Sequence, residues 1–470
     1  MIDLANKRVL VLGLGGRGQA ACDLLVQSGA RVTALDAADT PELRDAVERL
    51  KPLQVDVKLG TSKVPENGFD LAVLSPSVRQ SHPIVRSLAE QKIPMMGELE
   101  LGAQAAKCLC IAIAGTNGKS TTASLVERML LANHRKTILA GHRARPICSV
   151  VQESRELDFL ILQINAFQLE AANAFHPAVS VLMNVAPDYL DRFPSAADYI
   201  AANSRLFLNQ EPFERAIIQS EALARLAELK LPVPGKTITF SAMDQSADIY
   251  LDRGLIISRL PNWPGPLLDV DHCQIKGPHN TENLMAALAI GHALRLPLEA
   301  MLDPIKTFTP GPHRFQLVAE INGVQYINDS KATNIDALHK ALLATRTVPS
   351  REANIWLIAG GCDEPAVEFH DVGPVLSKRV KQAFLIGESA EKIRAAWSLF
   401  TPCKVSSTLL QAITEAAQSA TAGDVVLLSP ACSSFDLFRN YQHRGDEFCS
   451  AVKSISRGGS SENPNVMDRK

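Results

Sequence analysis

No stretch of about 18 uninterrupted apolar residues occurs anywhere in the 470-residue chain, so no membrane-crossing helix is expected. The start, Met1-Ile-Asp-Leu-Ala-Asn-Lys-Arg8, carries a charge at its third position and leads into no long apolar segment, so export is not expected either. Cys-x-x-Cys pairs are missing: the nine cysteines lie scattered through apolar runs such as Cys108-Leu-Cys110. That spacing argues against a metal knuckle or a disulfide framework, and reduced thiols point to a cytoplasmic protein. A strong charge of either sign is missing too. At a net charge of −2, nothing electrostatic favours a nucleic acid or a membrane surface, and small-molecule partners are expected instead. No internal repeat is seen.

What is present is alternation. At this length about three domains are expected, each of roughly 100–200 residues. Residues 8 to 98 alternate short β-branched runs with helical patterns: Arg8–Gly13, Gln19–Ser28, Arg31–Leu35, Leu71–Leu74 and His82–Gln91. That rhythm predicts βαβ units on a parallel sheet. A second αβ region starts with the strand Cys108–Ala114, passes through a helix to about Ala132, and continues through Asp158–Ile164, Val179–Asn184 and a long helical stretch after Pro194. Pro261–Pro266 reads as a surface loop and Asn280–Leu294 as a helix. Pro310-Gly-Pro312 marks a linker, after which Val324–Ile327, Ile355–Ala359, Gln382–Ile386 and Val425–Leu428 read as strands of a third αβ region. The polar tail from Arg457 is expected to be disordered.

Two glycine loops carry the chemistry. In Gly115-Thr116-Asn117-Gly118-Lys119-Ser120-Thr121, Ile113 stands where a strict P-loop has its first glycine, so the match is partial. Its context supplies the rest: an apolar strand ends at Ala114 and a helix starts at Lys119, so backbone N–H groups and the positive helix end face an anion. ATP phosphates are the expected ligand, with Lys119 on the β- and γ-phosphates and Ser120 on Mg²⁺. The earlier loop, Gly13-Leu-Gly15-Gly-Arg17-Gly18, follows the first strand, and Asp36 comes 18 positions after Gly18. This is a dinucleotide fingerprint that brings a phosphorylated ligand to a helix N-terminus without choosing between NAD and a UDP-sugar. A second phosphate loop a hundred residues later favours the nucleotide sugar, since a dehydrogenase has no need of it.

Further segments follow in order: Asp158–Glu170 ending Ala-Phe-Gln-Leu-Glu, Asn184–Arg192, Lys276-Gly-Pro-His279-Asn280 with Asn283, and Pro312-His313-Arg314. Then come Asn328-Asp329-Ser330-Lys331-Ala-Thr333-Asn334, Leu428-Ser-Pro-Ala-Cys432-Ser-Ser434-Phe-Asp436 and Arg444-Gly445. With the two glycine loops, from about Val9 to Phe448, this series closely resembles the Mur ligases, and among them those that join D-glutamate to UDP-N-acetylmuramoyl-L-alanine. The resemblance implies an α/β protein of three domains. Residues 1–98 would form a Rossmann-like UDP-sugar domain, 99–309 a central P-loop ATPase-type domain, and 310–456 a Rossmann-like amino-acid domain, with 457–470 as a flexible tail. It implies an ATP-dependent, amide-forming ligase of peptidoglycan synthesis acting as a cytoplasmic monomer, with ATP and Mg²⁺ as cofactors. UDP-N-acetylmuramoyl-L-alanine and D-glutamate would be the substrates, joined through an acyl phosphate.

The resemblance also assigns roles. Lys119, Lys331 and Arg314 would be catalytic. ATP would be held by Gly115, Thr116, Asn117, Gly118, Lys119, Ser120 and Thr121, by Asn280 and Asn283 on the adenine side, and by Arg314 and Asp329 from the C-terminal domain. Gly15, Arg17, Asp36 and Asn165 would meet the UDP-sugar, and Lys331, Thr333, Ser434 and Tyr441 the incoming amino acid. Ser120 and Asp188 would hold metal.

Several positions depart from the family pattern. The family's metal-binding glutamate is Gln163, two serines are Asn165 and Ala166, the metal-site histidine is Tyr189, and the carbamylated lysine aligns with Asn203. The family's Gly-Gly-Asn-Ile-Gly loop reads Ala140-Gly-His142-Arg143-Ala-Arg145, a Lys-Gly pair after Asp363 has become Glu364-Pro365, and Arg17 replaces a small hydroxyl residue. Two interpretations stand side by side. In one, the ligase works with a rearranged metal shell of Ser120, Asp188, water and phosphates, with His142, Arg143 and Arg145 as cations beside the phosphates. In the other, a degenerate or respecialised homologue binds nucleotide but has lost or changed ligation. A nicotinamide dehydrogenase rests on the first glycine loop alone.

Overall fold

A computed structural model describes residues 3–65, 68–142, 144–186, 192–346, 353–362 and 369–458. The chain divides into two compact units. The first, reaching Phe308, carries two sheets, and the second carries one sheet from Thr309 onward together with the segment Ile275–His279.

The N-terminal sheet is wholly parallel, in the order Asp56–Lys58, Arg31–Leu35, Arg8–Leu12, Leu71–Leu74, Met95–Gly97. Arg8–Leu12 and Leu71–Leu74 are buried almost throughout, as apolar runs covered by helices on both faces must be. The order turns back between these two strands, and ligands of such sheets bind outside the carboxyl ends at that turning point. Helix Gly16–Gln27 starts there.

The central sheet has nine strands. Its parallel part runs Lys236–Ser241, Arg215–Gln219, Val179–Leu182, Leu109–Ala114, Phe159–Gln163, Thr137–Gly141. Ile249–Asp252 extends it in parallel, and Leu255–Ser258 and Gly265–Asp269 close the edge antiparallel. Two sequence expectations change here. The helical stretch after Pro194 is interrupted: the helix Ala196–Ser204, capped by Ser195, gives way to the strand Arg215–Gln219 and a second helix, Ser220–Glu228. The loop expected over Pro261–Pro266 ends early, because Gly265 and Pro266 open the outermost strand. A proline, having no N–H to give, is tolerated on an edge.

In the second unit the sheet order is Gln316–Ile321, Val324–Asn328, Val425–Leu428, Ile355–Gly360, Val380–Ile386, Cys403–Val405, with only the first pair antiparallel. Its last helix, Tyr441–Gly458, takes in Arg457, so the tail expected to be disordered begins as helix. No helix among the described residues is long and apolar enough to cross a membrane.

Candidate functional site

The strand Leu109–Ala114 is buried over its last five residues and ends at Gly115, whose φ of +121° suits glycine. A Cβ there would lie 2.7 Å from the Asn184 carbonyl oxygen. Gly118, at φ +87°, is pressed just as hard, since a Cβ would lie 2.5 Å from Asn283 Oδ1. Helix Lys119–Ala132 starts on Gly118, which offers no side chain as a cap. The first-turn N–H groups are therefore left to an anion.

Neutral side chains from other elements brace this loop, and its own Lys119 adds to them. Thr116 N–H donates to the Asn184 carbonyl at 3.0 Å, and Asn117 N–H donates to Asn184 Oδ1 at 2.9 Å. Asn184 Nδ2 donates back to the Asn117 carbonyl at 3.1 Å. Thr116 Oγ1 meets the Ala186 carbonyl and the Tyr199 hydroxyl, each at 3.0 Å. Lys119 Nζ folds back onto the carbonyls of Gly115 and Thr116, the latter at 2.8 Å. Ser120 and Thr121 follow in the first helical turn. Asn280 and Asn283 are buried on the helix Pro278–Ala293: Asn283 accepts from Thr122 Oγ1 at 3.2 Å and donates to Asn280 Oδ1 at 3.1 Å. They support the loop from behind.

The substituted metal positions come close to this loop where they are described. Gln163 ends the strand Phe159–Gln163 and is in register with Ile113, two residues before Gly115. Asn203 is buried on the helix whose Tyr199 touches Thr116, and its Nδ2 donates to the Tyr199 carbonyl at 2.9 Å. Asp188, Tyr189 and Asp191 lie outside the described residues, as do Arg143, Asp363, Glu364 and Pro365. No group of three or more His, Cys, Asp or Glu able to hold a metal exists among the described residues. Mg²⁺ usually keeps several waters and takes one or two carboxylates together with substrate phosphates. The hydroxyl of Ser120 and the amide of Gln163 therefore fit an ion carried on nucleotide phosphates, and do not fit one held by protein alone.

At the first glycine loop, Gly13 has φ +84° and a Cβ would lie 2.8 Å from Ser75 Cβ. Asp36 braces this loop, with Oδ2 accepting from Leu14 N–H at 2.7 Å and Oδ1 from Ala38 N–H at 2.9 Å. Gly15 caps the helix Gly16–Gln27 without a side-chain bond. Arg17, in its first turn, donates through Nη2 to the Gly141 carbonyl at 3.5 Å. Asn165 forms a capping box with Gln168 on the helix Ala166–Glu170, and its Nδ2 lies 3.2 Å from His142 Nδ1. Arg145 does not remain available as a cation beside phosphate, because both guanidinium ends pair with Glu153.

The second unit gathers Arg314, Asp329, Lys331, Thr333, Ser434 and Tyr441 around the carboxyl ends of Val324–Asn328 and Val425–Leu428. Asp329 keeps part of its surface exposed, yet burial of its carboxyl pushes its pKa up to about 7. The Phe315 N–H at 3.0 Å, the Ser429 hydroxyl at 3.4 Å and the charges of Arg314 and Lys331 oppose that rise. Lys331 N–H donates to the His313 carbonyl at 3.1 Å, and its Nζ lies 5.3 Å from the centre of the Tyr441 ring. His313 is buried, its Nδ1 3.0 Å from Asn328 Nδ2 and its ring edge-on to Tyr441. The hydroxyl of Ser330 donates to the Tyr441 carbonyl at 2.8 Å.

Arg444 was a motif residue without a role in the sequence. The structure encloses it completely, with Nε donating to Ser330 Oγ at 3.0 Å, Nη2 to the Ser330 carbonyl at 2.9 Å and both terminal nitrogens to the Cys432 carbonyl at 3.1 Å. Burial brings its pKa down to about 10. It ties the Lys331 loop to the Ser434 loop. Tyr199 and Asn184 likewise took no role from the sequence alone, since their partners come from distant strands and helices.

Two family descriptions match the sequence: "Mur ligase middle domain" over residues 113–291 and "Mur ligase, glutamate ligase domain" over residues 313–432. The UDP-N-acetylmuramoylalanine–D-glutamate ligase of Thermoanaerobacter pseudethanolicus is 36% identical over 462 residues, covering 97% of this chain and 100% of that protein. The ligase of the same name from Acidobacterium capsulatum is 35% identical over 453 residues, 95% of this chain and 96% of its own. Among solved structures, MurF ligase from Thermotoga maritima in complex with ADP gives a TM-score of 0.61 at 15% identity, covering 98% of this chain and 100% of that one. A pseudomurein peptide ligase type C from Methanothermus fervidus gives 0.58 at 16% identity, over 96% and 100%. At such identities the structures share the fold.

Proposed function

Because this chain belongs to the Mur ligase family, we propose that it joins D-glutamate to UDP-N-acetylmuramoyl-L-alanine at the expense of ATP. The observation that carries this reading is the near-full-length likeness to ligases bearing that name. The substrate carboxylate attacks the γ-phosphorus of ATP and ADP leaves. The amine of D-glutamate then attacks the resulting acyl phosphate, loses a proton, and inorganic phosphate leaves as the amide forms. Such a reaction asks for positioning and charge neutralisation more than for a nucleophilic side chain.

In this chain the loop N–H groups of Gly115–Thr121 receive the phosphates, and Lys119 exchanges its loop carbonyls for phosphate oxygens. Ser120 would hold Mg²⁺ together with the nucleotide phosphates, and the ion would supply further positive charge there. Within the second unit, Arg314 and Lys331 are the candidate cations. Asp329 orients the Arg314 strap through the Phe315 N–H, and Thr333, Ser434 and Tyr441 receive the amino acid. The nucleotide half of the sugar substrate lies at Gly15, Arg17 and Asp36. We assign three domains, 1–98, 99–309 and 310–456, to a cytoplasmic monomer that uses neither nucleic acid nor membrane. The amides at Gln163 and Asn203 favour the second reading, a homologue that keeps nucleotide binding with changed ligation.

The deciding experiment measures Mg²⁺-dependent phosphate release with UDP-N-acetylmuramoyl-L-alanine and D-glutamate. A Lys119→Ala protein is the control, expected to release phosphate on the order of 100- to 1,000-fold more slowly. Wild-type release no faster than the control, with ATP still bound, refutes ligation. Release with a different amine only transfers the activity to another amino acid.

A further inference from the structure

Arg314 lies between two residues in the left-handed region, His313 at φ +65° and Phe315 at φ +46°. Neither is a glycine, and such backbone persists only where its surroundings impose it. Here they do. His313 N–H donates to Gln316 Oε1 at 2.9 Å, the His313 carbonyl accepts from Lys331 N–H at 3.1 Å, and Phe315 N–H donates to Asp329 Oδ1 at 3.0 Å. The strap over 313–315 and the loop carrying Lys331 are therefore one hydrogen-bonded piece, and the His313 ring, in a residue only 6% exposed, roots it in the core.

The ring meets Asn328, the last residue of the strand Val324–Asn328, which is fully buried. Two partners fix which way round the Asn328 amide stands. Its Oδ1 accepts from Ser330 N–H at 3.0 Å, a group that can only donate, and its Nδ2 lies 3.0 Å from the Gly445 carbonyl, a group that can only accept. The amide therefore offers an N–H, not its oxygen, to His313 Nδ1 at 3.0 Å, with Cys449 Sγ a weaker acceptor at 3.2 Å. Nδ1 must accept, so the imidazole is neutral and carries its proton on Nε2, on the side of Asp446 Oδ1 at 3.5 Å. A second proton on Nδ1 would set N–H against N–H. Burial acts in the same sense, lowering the His313 pKa against the pull of Asp446. Space is as tight as the bonding, because a Cβ on Gly445 would collide with His313 Nδ1.

We propose that Asn328 is a positioning residue for ligation: by locking His313 as the Nε2–H tautomer it holds the Arg314 strap and the Lys331 loop in working register, a role that rests on the function proposed above. Asn328, wholly buried, acts through His313 and not on the reactants. Arg314 and Lys331 neutralise charge only from the right place, and a displacement of about 1 Å lowers a rate on the order of 100-fold.

The test uses three exchanges in the full chain. Asn328→Asp keeps the acceptor for Ser330 N–H and replaces the donor by a carboxylate oxygen, which draws a proton onto His313 Nδ1. His313→Leu removes the acceptor. His313→Asn restores one, since an asparagine amide oxygen reaches the place of Nδ1 and asparagine tolerates left-handed backbone. Nitrogen NMR of protein labelled at histidine reads which ring nitrogen is protonated, the His313 signals being those lost in His313→Asn. The proton is expected on Nε2 alone in wild type, and on Nδ1 as well in Asn328→Asp. In phosphate release, kcat is expected to fall about 100-fold for Asn328→Asp and His313→Leu, and to stay within about 5-fold of wild type for His313→Asn. KM for UDP-N-acetylmuramoyl-L-alanine should stay within about 2-fold throughout, since its nucleotide half lies at the first glycine loop. Melting curves confirm folding, and if Asn328→Asp does not fold the two His313 variants decide. A wild-type proton on Nδ1, or folded variants that lose melting temperature but keep wild-type kcat, overturns the role while the proposed function stands. A wild type that releases no phosphate overturns both.

Discussion

The two compact units solve the same problem, holding a loop at a strand end, with different materials. In the first, the bracing that reaches the phosphate loop from other elements is uncharged, Asn184, Tyr199, and Asn283 behind Gly118, and the one charge on the loop is its own Lys119, folded onto the carbonyls of Gly115 and Thr116. Amides also occupy Gln163 and Asn203, where the family pattern has charge. In the second, charges are enclosed: Asp329 faces Arg314 and Lys331, and Arg444 sits entirely out of water among carbonyls. A neutral brace holds its shape whatever the pH and lets the ligand's own charge dominate. An enclosed charge makes its surroundings sensitive to loss of a partner and to protons. Binding is therefore expected to be the robust property of this chain, and stability of the second unit the fragile one.

The sharpest way to break that contrast is Arg444→Met. Methionine fills part of the volume but leaves the carbonyls of Ser330 and Cys432 and the hydroxyl of Ser330 without their donor. Each buried group left unpaired costs ~1–3 kcal/mol, so a loss on the order of 3–5 kcal/mol is expected in denaturant unfolding of the second unit. ATP binding to the first unit should remain. A variant as stable as wild type would mean that the enclosed charge is dispensable.

The contrast also explains what the sequence made legible. The strand, glycine turn and helix of 109–132 follow from local pattern: an apolar run, two glycines where left-handed backbone is needed, and good helix formers after Lys119. The three αβ regions were readable for the same reason. The neutral bracing was not, because its partners are far apart in the chain: Thr122 meets Asn283 across 161 positions and Thr116 meets Tyr199 across 83. Nor was the enclosure of Glu98 visible, since a glutamate opening a helix reads as a solvated residue suited to the helix dipole. The antiparallel edge at 249–269 was missed because Pro266 argued for a loop, although an edge strand accepts it.

Protons give a weaker and more discriminating test of the second unit. Asp329 titrates near pH 7 when folded, against 3.8 ordinarily, so the folded chain holds a proton that the unfolded chain has released. Its contribution to stability is present below about pH 4 and is lost as pH rises towards 7. His279, half-buried with Nδ1 enclosed, has the opposite sign. Desolvation and the nearby Lys340 lower its pKa from 6.5 to about 4, so its contribution is present above pH 6.5 and is lost as pH falls towards 4. His313, also lowered by burial, adds in the sense of His279. The two slopes oppose each other, and wild-type unfolding should vary little between pH 4 and 7. His279→Gln is expected to unmask a decline in stability with rising pH, and Asp329→Asn an increase. Denaturant midpoints measured at pH 4.5, 5.5 and 6.5 decide it, and parallel curves for all three proteins would refute the opposition.

The smallest effect belongs to Arg145. The sequence offered it as a cation beside the phosphates, but it pairs with Glu153 with both side chains about half exposed. Pairs of that kind contribute little, because water and salt screen them and two long side chains lose freedom to form them. Arg145→Ala should therefore leave melting temperature, ATP affinity and phosphate release at wild-type levels. Removal of Asn184 should act differently: Asn184→Ala strips two bonds from Asn117, and ATP affinity is expected to fall about 10-fold through loss of the loop's shape. A large effect at Arg145 with a small one at Asn184 would reverse the comparison, making the first unit's site one that works by charge after all.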